Sequence, residues 1–148
     1  MLQHMLAEIF ERELIKLKEE INLYKDESNL WKVEKQISNS AGNLTLHLIG
    51  NLNHFIGATL ENTGYVRERD LEFSSKNIPV SELNHKIDAL IPVVVNTLNN
   101  MQATDLETDF PLEKHGKIVR TDYMLLHLLT HINYHLGQIN YHRRLLED

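Results

Sequence analysis

Four segments of the sequence carry apolar residues at steps of three and four, and this periodicity constrains the fold more than any other feature. Such spacing places the apolar side chains on one face of an α-helix, so each segment predicts an amphipathic helix. Four helices with one long connection between two of them predict an all-α four-helix bundle. In the first segment, from about residue 3 to 25, the periodic positions are Leu6, Ile9, Phe10, Leu14, Leu17, Ile21 and Tyr24.

Serines and a glycine indicate where the second and third helices begin and end. Ser38 and Ser40 are candidate N-caps of the second helix, because a serine hydroxyl accepts a hydrogen bond from a free amide of the first turn. This helix is expected to end near Gly64, which can adopt the left-handed backbone common after a helix. Ser81 is expected to cap the third helix, and Pro92 should kink that helix by removing one backbone hydrogen bond.

The connections between the helices differ in length and pattern. Residues 65–80, YVRERDLEFSSKNIPV, lack helical periodicity and are more numerous than the few residues that join antiparallel neighbours in a bundle. They predict a long crossover between the second and third helices, or a flap over an active site. Residues 105–120 change to short segments around a His-Gly pair, which predicts a loop or a small hairpin. Thr121 and Asp122 then begin the fourth helix, which runs to about Leu146.

Composition limits the classes of function. A chain of 148 residues with 42% hydrophobic content can bury one sizeable core, so residues 1–148 are predicted to form a single domain. The absence of cysteine excludes disulfides, thiolate ligands and a protein thiol nucleophile. A formal charge of −6, without a cluster of five or more Lys or Arg, argues against nucleic acid or an anionic membrane as the main partner. Without an apolar run as long as a secretion signal or a membrane span, a cytoplasmic protein is predicted.

Histidines are concentrated on two of the predicted helices. His131 and His135 are four residues apart, a spacing at which two imidazoles on one helix converge on one ion. His142 lies about 10 Å farther along the helix axis, at about 1.5 Å per residue, and is too distant to join them. Six of the nine histidines lie on the second and fourth helices: His47, His54, His127, His131, His135 and His142.

The second helix offers one more imidazole to the pair on the fourth. His47 and His54 are seven residues apart and point in nearly the same direction, so only one of them can reach a shared ion. Packed helix axes lie about 8–10 Å apart, which lets that histidine meet His131 and His135. Three neutral imidazoles with open coordination positions are typical of a catalytic metal site. Solvated or hydrogen-bonded histidines without a metal are the alternative explanation.

Two motifs resemble the DinB-like superfamily. HxxxHxGQI at 131–139, followed by YHRRL, resembles the closing helix of these proteins. LTLHLIGNLNHFIGATL at 44–60 and YVRERDLEF at 65–73 are similar to an uncharacterised branch of it. The first and third helices fit by position and periodicity alone. The resemblance implies a four-helix bundle with a long crossover between helices two and three, commonly a homodimer.

The resemblance also implies a divalent metal, usually zinc or nickel, bound by one histidine of the second helix and the HxxxH pair. Carried over to this sequence, the ligands are His47, His131 and His135. Better understood members of the superfamily include bacillithiol- and mycothiol-dependent transferases and an isomerase, in which the metal is thought to activate a low-molecular-weight thiol. A small molecule, and such a thiol in particular, is therefore the expected partner.

The chemistry of such a site leaves several functions open. A divalent cation held by neutral ligands lowers the pKa of a bound water to about 7 and deprotonates a coordinating thiol. The fourth helix lacks HExxH and has no acidic residue between Asp122 and Glu147, which weakens a hydrolase hypothesis. Proton transfer would then fall to His54, to Tyr134 or to the 65–73 loop, although a packed aromatic residue with a satisfied hydroxyl is the more ordinary explanation of Tyr134. The candidate functions are a thiol S-transferase, a metal-dependent hydrolase and a non-catalytic, stress-associated metal-binding bundle.

Four further side chains are candidates for supporting roles. Gln138 and Asn51 could orient the ligand imidazoles, or could form an interhelical hydrogen bond. Arg67 and Arg69, together with Asp70, could present charge to a substrate anion. An ion pair that fixes the loop is the alternative for these charges.

Overall fold

The protein is an all-α four-helix bundle with a long crossover between its second and third long helices, as the sequence predicts. The computed structural model describes residues 1–147. None of the helices in this range is long and apolar enough to cross a membrane. The four predicted helices correspond to α1, α2, α4 and α5, and α3 lies in the crossover. The elements are α1 (Leu2–Asn22), α2 (Ala41–Leu52), α3 (Arg69–Ser74), α4 (Val80–Asn100) and α5 (Thr121–Leu146), with short 3₁₀ helices at Glu27–Trp31 and Asp105–Glu107.

The apolar faces of the long helices pack into one hydrophobic core. α1 packs against α4 and α5, and its periodic residues Phe10, Leu14 and Leu17 are fully buried. Ile87 of α4 and Ile132 of α5 are buried in the same core. Removing each such side chain from water contributes about 1.5–3 kcal/mol, so the periodic apolar positions supply the main stabilising term.

α2 differs from the other long helices because all twelve of its residues are buried. It packs against α4 and α5, and also against α3 of the crossover. This cover leaves four polar side chains inside the protein, and buried polar groups require partners. They are Asn43, Thr45, His47 and Asn51.

The helical backbone after α2 changes its hydrogen-bonding pattern. Residues Asn53–Ala58 are π-helical, a geometry that is frequent near functional sites. The helical backbone ends before Gly64, whose φ of +81° lies in the left-handed region, as expected for this glycine.

The two serine caps have different outcomes. Ser40 is the N-cap of α2, because its hydroxyl accepts a hydrogen bond from the Asn43 amide at 3.2 Å. The prediction for Ser81 is wrong: α4 begins at Val80 and has no side-chain cap of its own. Instead, the Val80 N–H donates to the Glu27 carboxylate at 2.8 Å. A residue distant in the sequence therefore accepts from a free amide of the first helical turn. α4 continues across Pro92.

The crossover contains one helix that the sequence pattern did not indicate. Residues 65–80 form the predicted long connection, and α3 lies within it, although its six residues are too few to display a helical period. Asn43 fastens α3 to α2: its side-chain amide donates to the carbonyls of Glu72 at 2.9 Å and Ser75 at 2.8 Å. The C-terminal end of α3 is therefore held in a defined position on α2.

A small hairpin precedes α5, as predicted. The Phe110 N–H donates to the Val119 carbonyl at 2.8 Å, and Lys114 and Lys117 pair across the tip. The two residues between them have positive φ angles, +49° at His115 and +76° at Gly116. Two left-handed residues are typical of a type I′ turn, which explains the His-Gly pair.

Candidate metal centre

α2 and α5 bring three imidazoles to a common point. The Nε2 atom of His131 lies 3.1 Å from Nε2 of His47 and 3.1 Å from Nε2 of His135. One ligand atom from each histidine lies within 4.8 Å of the others. Two nitrogens about 2.1 Å from one ion are about 3.0 Å apart at a right angle and about 3.4 Å apart at the tetrahedral angle. The two 3.1 Å distances therefore fit ligands of a single ion, and the third pair of nitrogens lies within 4.8 Å.

Glu72 determines which nitrogen of His47 carries the proton. Its carboxylate lies 3.0 Å from Nδ1 of His47, and a carboxylate can only accept. Burial lowers the pKa of His47, against an opposing effect of Glu72, so the ring is neutral and donates through Nδ1. The lone pair is then on Nε2, which faces the other two histidines. A carboxylate behind the ring is a frequent partner of metal-binding histidines.

Gln138 has the same role behind His135. Its side-chain carbonyl lies 2.7 Å from Nδ1 of His135, three residues earlier on α5, and accepts the proton of that nitrogen. The Nε2 lone pair of His135 is thereby also directed toward the common point. Two of the three imidazoles are consequently oriented by an acceptor behind Nδ1, with Nε2 facing the common point.

Glu72 is itself held in place from two directions. Arg67 donates to both of its carboxylate oxygens, each at 2.9 Å, so the acid is paired inside the protein. Gly50 of α2 lies directly beneath the carboxylate, and a Cβ atom at this position would overlap it. The absence of a side chain at Gly50 therefore leaves the space that the Glu72 carboxylate occupies.

His131 differs from the other two histidines because its buried Nδ1 atom has no hydrogen-bond partner among the described residues. Burial, followed by the imidazoles of His135 and His47, lowers the pKa of His131 to about 3. At neutral pH the His131 ring is therefore uncharged and carries a single N–H proton. A donor set of three imidazoles fits a metal ion.

Two clefts border the three histidines. A cleft of about 360 Å³ is lined by His47 and His131, and a second of about 440 Å³ is lined by His135 and Gln138. Both volumes lie in the range of small-molecule sites, about 300–1,000 Å³. The group is therefore accessible to a small ligand.

Comparison with known proteins places the chain in a family. The family model described as "Protein of unknown function (DUF1572)" matches residues 3–148. The chain belongs to the DUF1572 family. The match includes all three histidines of this DUF1572 protein and all of its helices apart from one terminal residue. No curated protein matches the chain.

The remaining predicted residues of the DUF1572 protein lie at different distances from the histidines. Asn51 lines the cleft beside His47 and His131, but its side-chain oxygen is buried and has no partner within residues 1–147. His54 packs against the ring of Phe55, with 4.7 Å between ring centroids, and is outside the three-histidine group. The ring of Tyr134 lies 5.4 Å from that of His135 and is 66% exposed, so it is not a buried core residue.

The two arginines have separate partners. Arg67 forms an ion pair with Glu72. This agrees with the alternative explanation of its charge, an ion pair that fixes the loop. Arg69 places its guanidinium over the ring of Phe73 at 5.2 Å. Both arginines line the 360 Å³ cleft.

His142 of the DUF1572 protein belongs to a different network. Its Nδ1 atom lies 2.6 Å from the hydroxyl of Tyr24, and its Nε2 atom lies 2.8 Å from the carbonyl of Lys32. Because a carbonyl only accepts, Nε2 carries the proton and Nδ1 accepts from Tyr24. This buried histidine is fully hydrogen-bonded without a metal, in agreement with its predicted distance from the pair.

Glu72 is the residue of this site that sequence reasoning missed. It lies in the YVRERDLEF motif, yet only Arg67, Arg69 and Asp70 of that motif were considered. The available signal was an acidic residue in the crossover together with Gly50 on α2. Only the path of α3 over α2 shows that the two positions meet.

Proposed function

We propose that this protein is a divalent-metal-dependent enzyme of the DinB-like superfamily, a transferase that activates a low-molecular-weight thiol. The proposed ligands are His47, His131 and His135. The observation that carries the proposal is the convergence of three Nε2 atoms, with neighbouring distances of 3.1 Å, beside two clefts. Zinc or nickel is the proposed metal, because three neutral imidazoles suit borderline ions of this kind.

The chain supplies orientation around such an ion. When bound, a divalent cation would lower the pKa of a coordinating thiol or water. Glu72 and Gln138 hold His47 and His135 with their lone pairs directed at the ion. The clefts leave room for a substrate on the accessible side of the ligands, which supports a catalytic role over a sealed structural one.

A metal-dependent hydrolase is the second candidate, and the surroundings of Glu72 weigh against it. A hydrolase of this type uses an acidic residue as a general base near the ion. Glu72 is the acid that contacts a proposed ligand, and its two oxygens accept from Arg67 and His47. Because these hydrogen bonds occupy it, the carboxylate is poorly suited to remove a proton. A metal-binding bundle without catalysis is the third candidate, and activity assays separate it from the first two.

We further propose that the protein is a homodimer that pairs through α5. Side chains at helical intervals form an exposed apolar stripe along this helix. An exposed stripe of large apolar residues favours a protein partner. The stripe consists of Tyr123, Leu126, Tyr134, Tyr141 and Leu145.

Metal analysis tests the proposed site. Protein purified without a chelator or a histidine tag is expected to contain about one zinc or nickel ion per chain, and His131→Ala should lose it. His54→Ala is the matched control, because His54 lies on the same bundle outside the three-histidine group. Circular dichroism of each variant reports folding, and His135→Gln provides a second ligand variant should His131→Ala unfold. Full metal retention in both ligand variants would overturn the proposal.

A further inference from the structure

We propose that the 360 Å³ cleft beside His47 and His131 binds an oxyanion, a carboxylate or phosphate carried by the small substrate. The inference rests on the proposed function and specifies the substrate of the same site. It concerns the cations and the side-chain amide that line the cleft, none of which is a proposed metal ligand. These groups define a substrate with an anionic group at one end and a metal-binding group at the other.

The cleft carries two cations that have no carboxylate partner. Arg69 comes from α3 and Lys114 from the hairpin tip, and both line the cleft. Within residues 1–147 each contacts an aromatic ring, Phe73 for Arg69 at 5.2 Å and Tyr123 for Lys114 at 5.9 Å. Neither forms an ion pair in this range, so both charges are available to a ligand.

The acidic groups nearby do not cancel this charge. Glu113 is the one acidic residue among the described residues that line the cleft. Arg67 also lines it, but its charge is matched by Glu72. Two unpaired cations against one carboxylate leave the cleft positive, and cationic guanidinium and ammonium groups are the usual ligands of carboxylate and phosphate.

Asn51 adds a polar side chain to the same cleft. The residue is 7% exposed, and its side-chain oxygen is buried without a partner within residues 1–147. The lining beside the two cations is therefore polar, which suits a charged group of the ligand.

The rest of the wall accommodates a carbon skeleton. Phe55, Met124 and Leu128 line the cleft between the polar groups, and the volume of about 360 Å³ suits a small molecule. The substrate class is thus a small oxyanion with a group that reaches the metal.

Binding of three thiols to the cobalt-loaded protein tests the inference. The thiols are neutral 2-mercaptoethanol, 3-mercaptopropionate with a carboxylate and 2-mercaptoethylphosphonate with a phosphonate, and binding is followed by the thiolate-to-cobalt absorption band. Both anionic thiols are expected to bind about tenfold more tightly than the neutral one, as an additional charge-assisted contact predicts. The ratio between the two anions identifies which oxyanion the cleft prefers.

Variants assign the effect to the cleft. Arg69→Gln and Lys114→Gln should each weaken the anionic thiols about three- to tenfold and leave 2-mercaptoethanol and cobalt content unchanged. Lys117→Gln is the matched control, because Lys117 pairs with Lys114 across the hairpin tip but does not line the cleft. Equal affinities of all three thiols for the wild type, or equal losses for neutral and anionic thiols in the variants, would overturn the inference.

A binding measurement on the metal-free protein separates this inference from the proposed function. Failure of the wild type to take up cobalt contradicts the proposed function alone. Inorganic phosphate is then titrated into the metal-free protein and followed by calorimetry. Binding that the double variant Arg69→Gln, Lys114→Gln loses and Lys117→Gln retains supports the oxyanion site, and absence of phosphate binding to the wild type rejects it.

Discussion

Gly50 has a specific role at the scale of single residues, because it is the space into which the Glu72 carboxylate fits. Gly50→Ala would place a Cβ atom on that carboxylate and displace it from His47. Loss of such a hydrogen-bond partner typically lowers metal affinity about 10–100-fold. We expect zinc affinity of Gly50→Ala to fall by this factor, as measured by competition with a chromophoric chelator.

Gly137 of α5 provides the control for this substitution. A Cβ atom there would meet no heavy atom within 4 Å. Alanine is favoured over glycine inside a helix by about 1 kcal/mol, so Gly137→Ala should raise the free energy of unfolding and leave zinc affinity unchanged. Equal zinc affinity in the two variants would argue against the role of Glu72.

Sequence reasoning at the residue scale identified the groups whose geometry is local. The spacing of His131 and His135, and of His135 and Gln138, is fixed by the helix itself, so their proximity could be predicted. Glu72 could not be identified in this way, because its contact with His47 depends on the path of the crossover over α2. The choice between His47 and His54 likewise required the family resemblance, since both occupy the same face of one helix.

At the scale of elements, the end of α5 is anchored to the segment after α1. The hydroxyl of Tyr24 donates to His142, and His142 donates to the Lys32 carbonyl. Beyond it, the Glu147 carboxylate accepts from the amides of Lys25 and Asp26 at 2.8 Å and 3.0 Å. These bonds hold the C-terminal end of α5 to the segment after α1, and the histidine among them predicts a dependence of stability on pH.

Burial lowers the pKa of His142 from its ordinary value of 6.5, with the Lys32 hydrogen bond as a smaller opposing effect. Below pH 6.5 the unfolded chain therefore binds a proton that the folded protein excludes, and the free energy of unfolding falls as the pH falls. The pKa of His131 is lowered as well, so it adds to this trend in the metal-free protein. We expect the metal-free wild type to be less stable to urea at pH 5 than at pH 7.

His142→Gln isolates the contribution of this histidine. The variant should lose less stability between pH 7 and pH 5 than the wild type, because glutamine does not titrate. At pH 7 the variant should be less stable than the wild type by about 1–3 kcal/mol. The Tyr24 hydroxyl and the Lys32 carbonyl would lose the hydrogen bonds that they form with His142. Identical pH slopes for the two proteins would show that His142 is not responsible.

Long elements could be predicted and short ones could not. α1, α4 and α5 each exceed twenty residues and display the helical period several times. α3 has six residues, fewer than two turns, so no periodicity distinguishes it from a loop. The start of α4 was misplaced because Glu27, far away in sequence, satisfies its first amide.

At the scale of the whole molecule, the stripe on α5 makes the proposed homodimer testable. Leu126 is 47% exposed, and Leu126→Glu would introduce a charge into the proposed interface. Burying such a charge without a partner is unfavourable, so the variant should sediment as a monomer where the wild type sediments as a dimer. The measurement is analytical ultracentrifugation at equal protein concentrations.

Ile15→Glu is the matched control on α1, since Ile15 is 43% exposed and lies outside the stripe. It should leave the dimer intact. A monomeric wild type, or equal dissociation of both variants, would contradict pairing through α5.

The arrangement of the bundle could be predicted from the number of helices and the length of one connection. The complete burial of α2 could not, because it depends on the cover that α3 provides. The single domain over residues 1–148 and the cytoplasmic location stay predictions.

The positions of the three histidines along the chain have a topological consequence. His47 and His131 are 84 residues apart, so an ion shared between them would close a large ring in a chain that has no cysteine. For a disulfide, closing a loop of similar length contributes up to about 4.7 kcal/mol through restriction of the unfolded chain. The ion would thus act as a reversible cross-link, and a chelator would lower the free energy of unfolding much as a reductant does in a secreted protein.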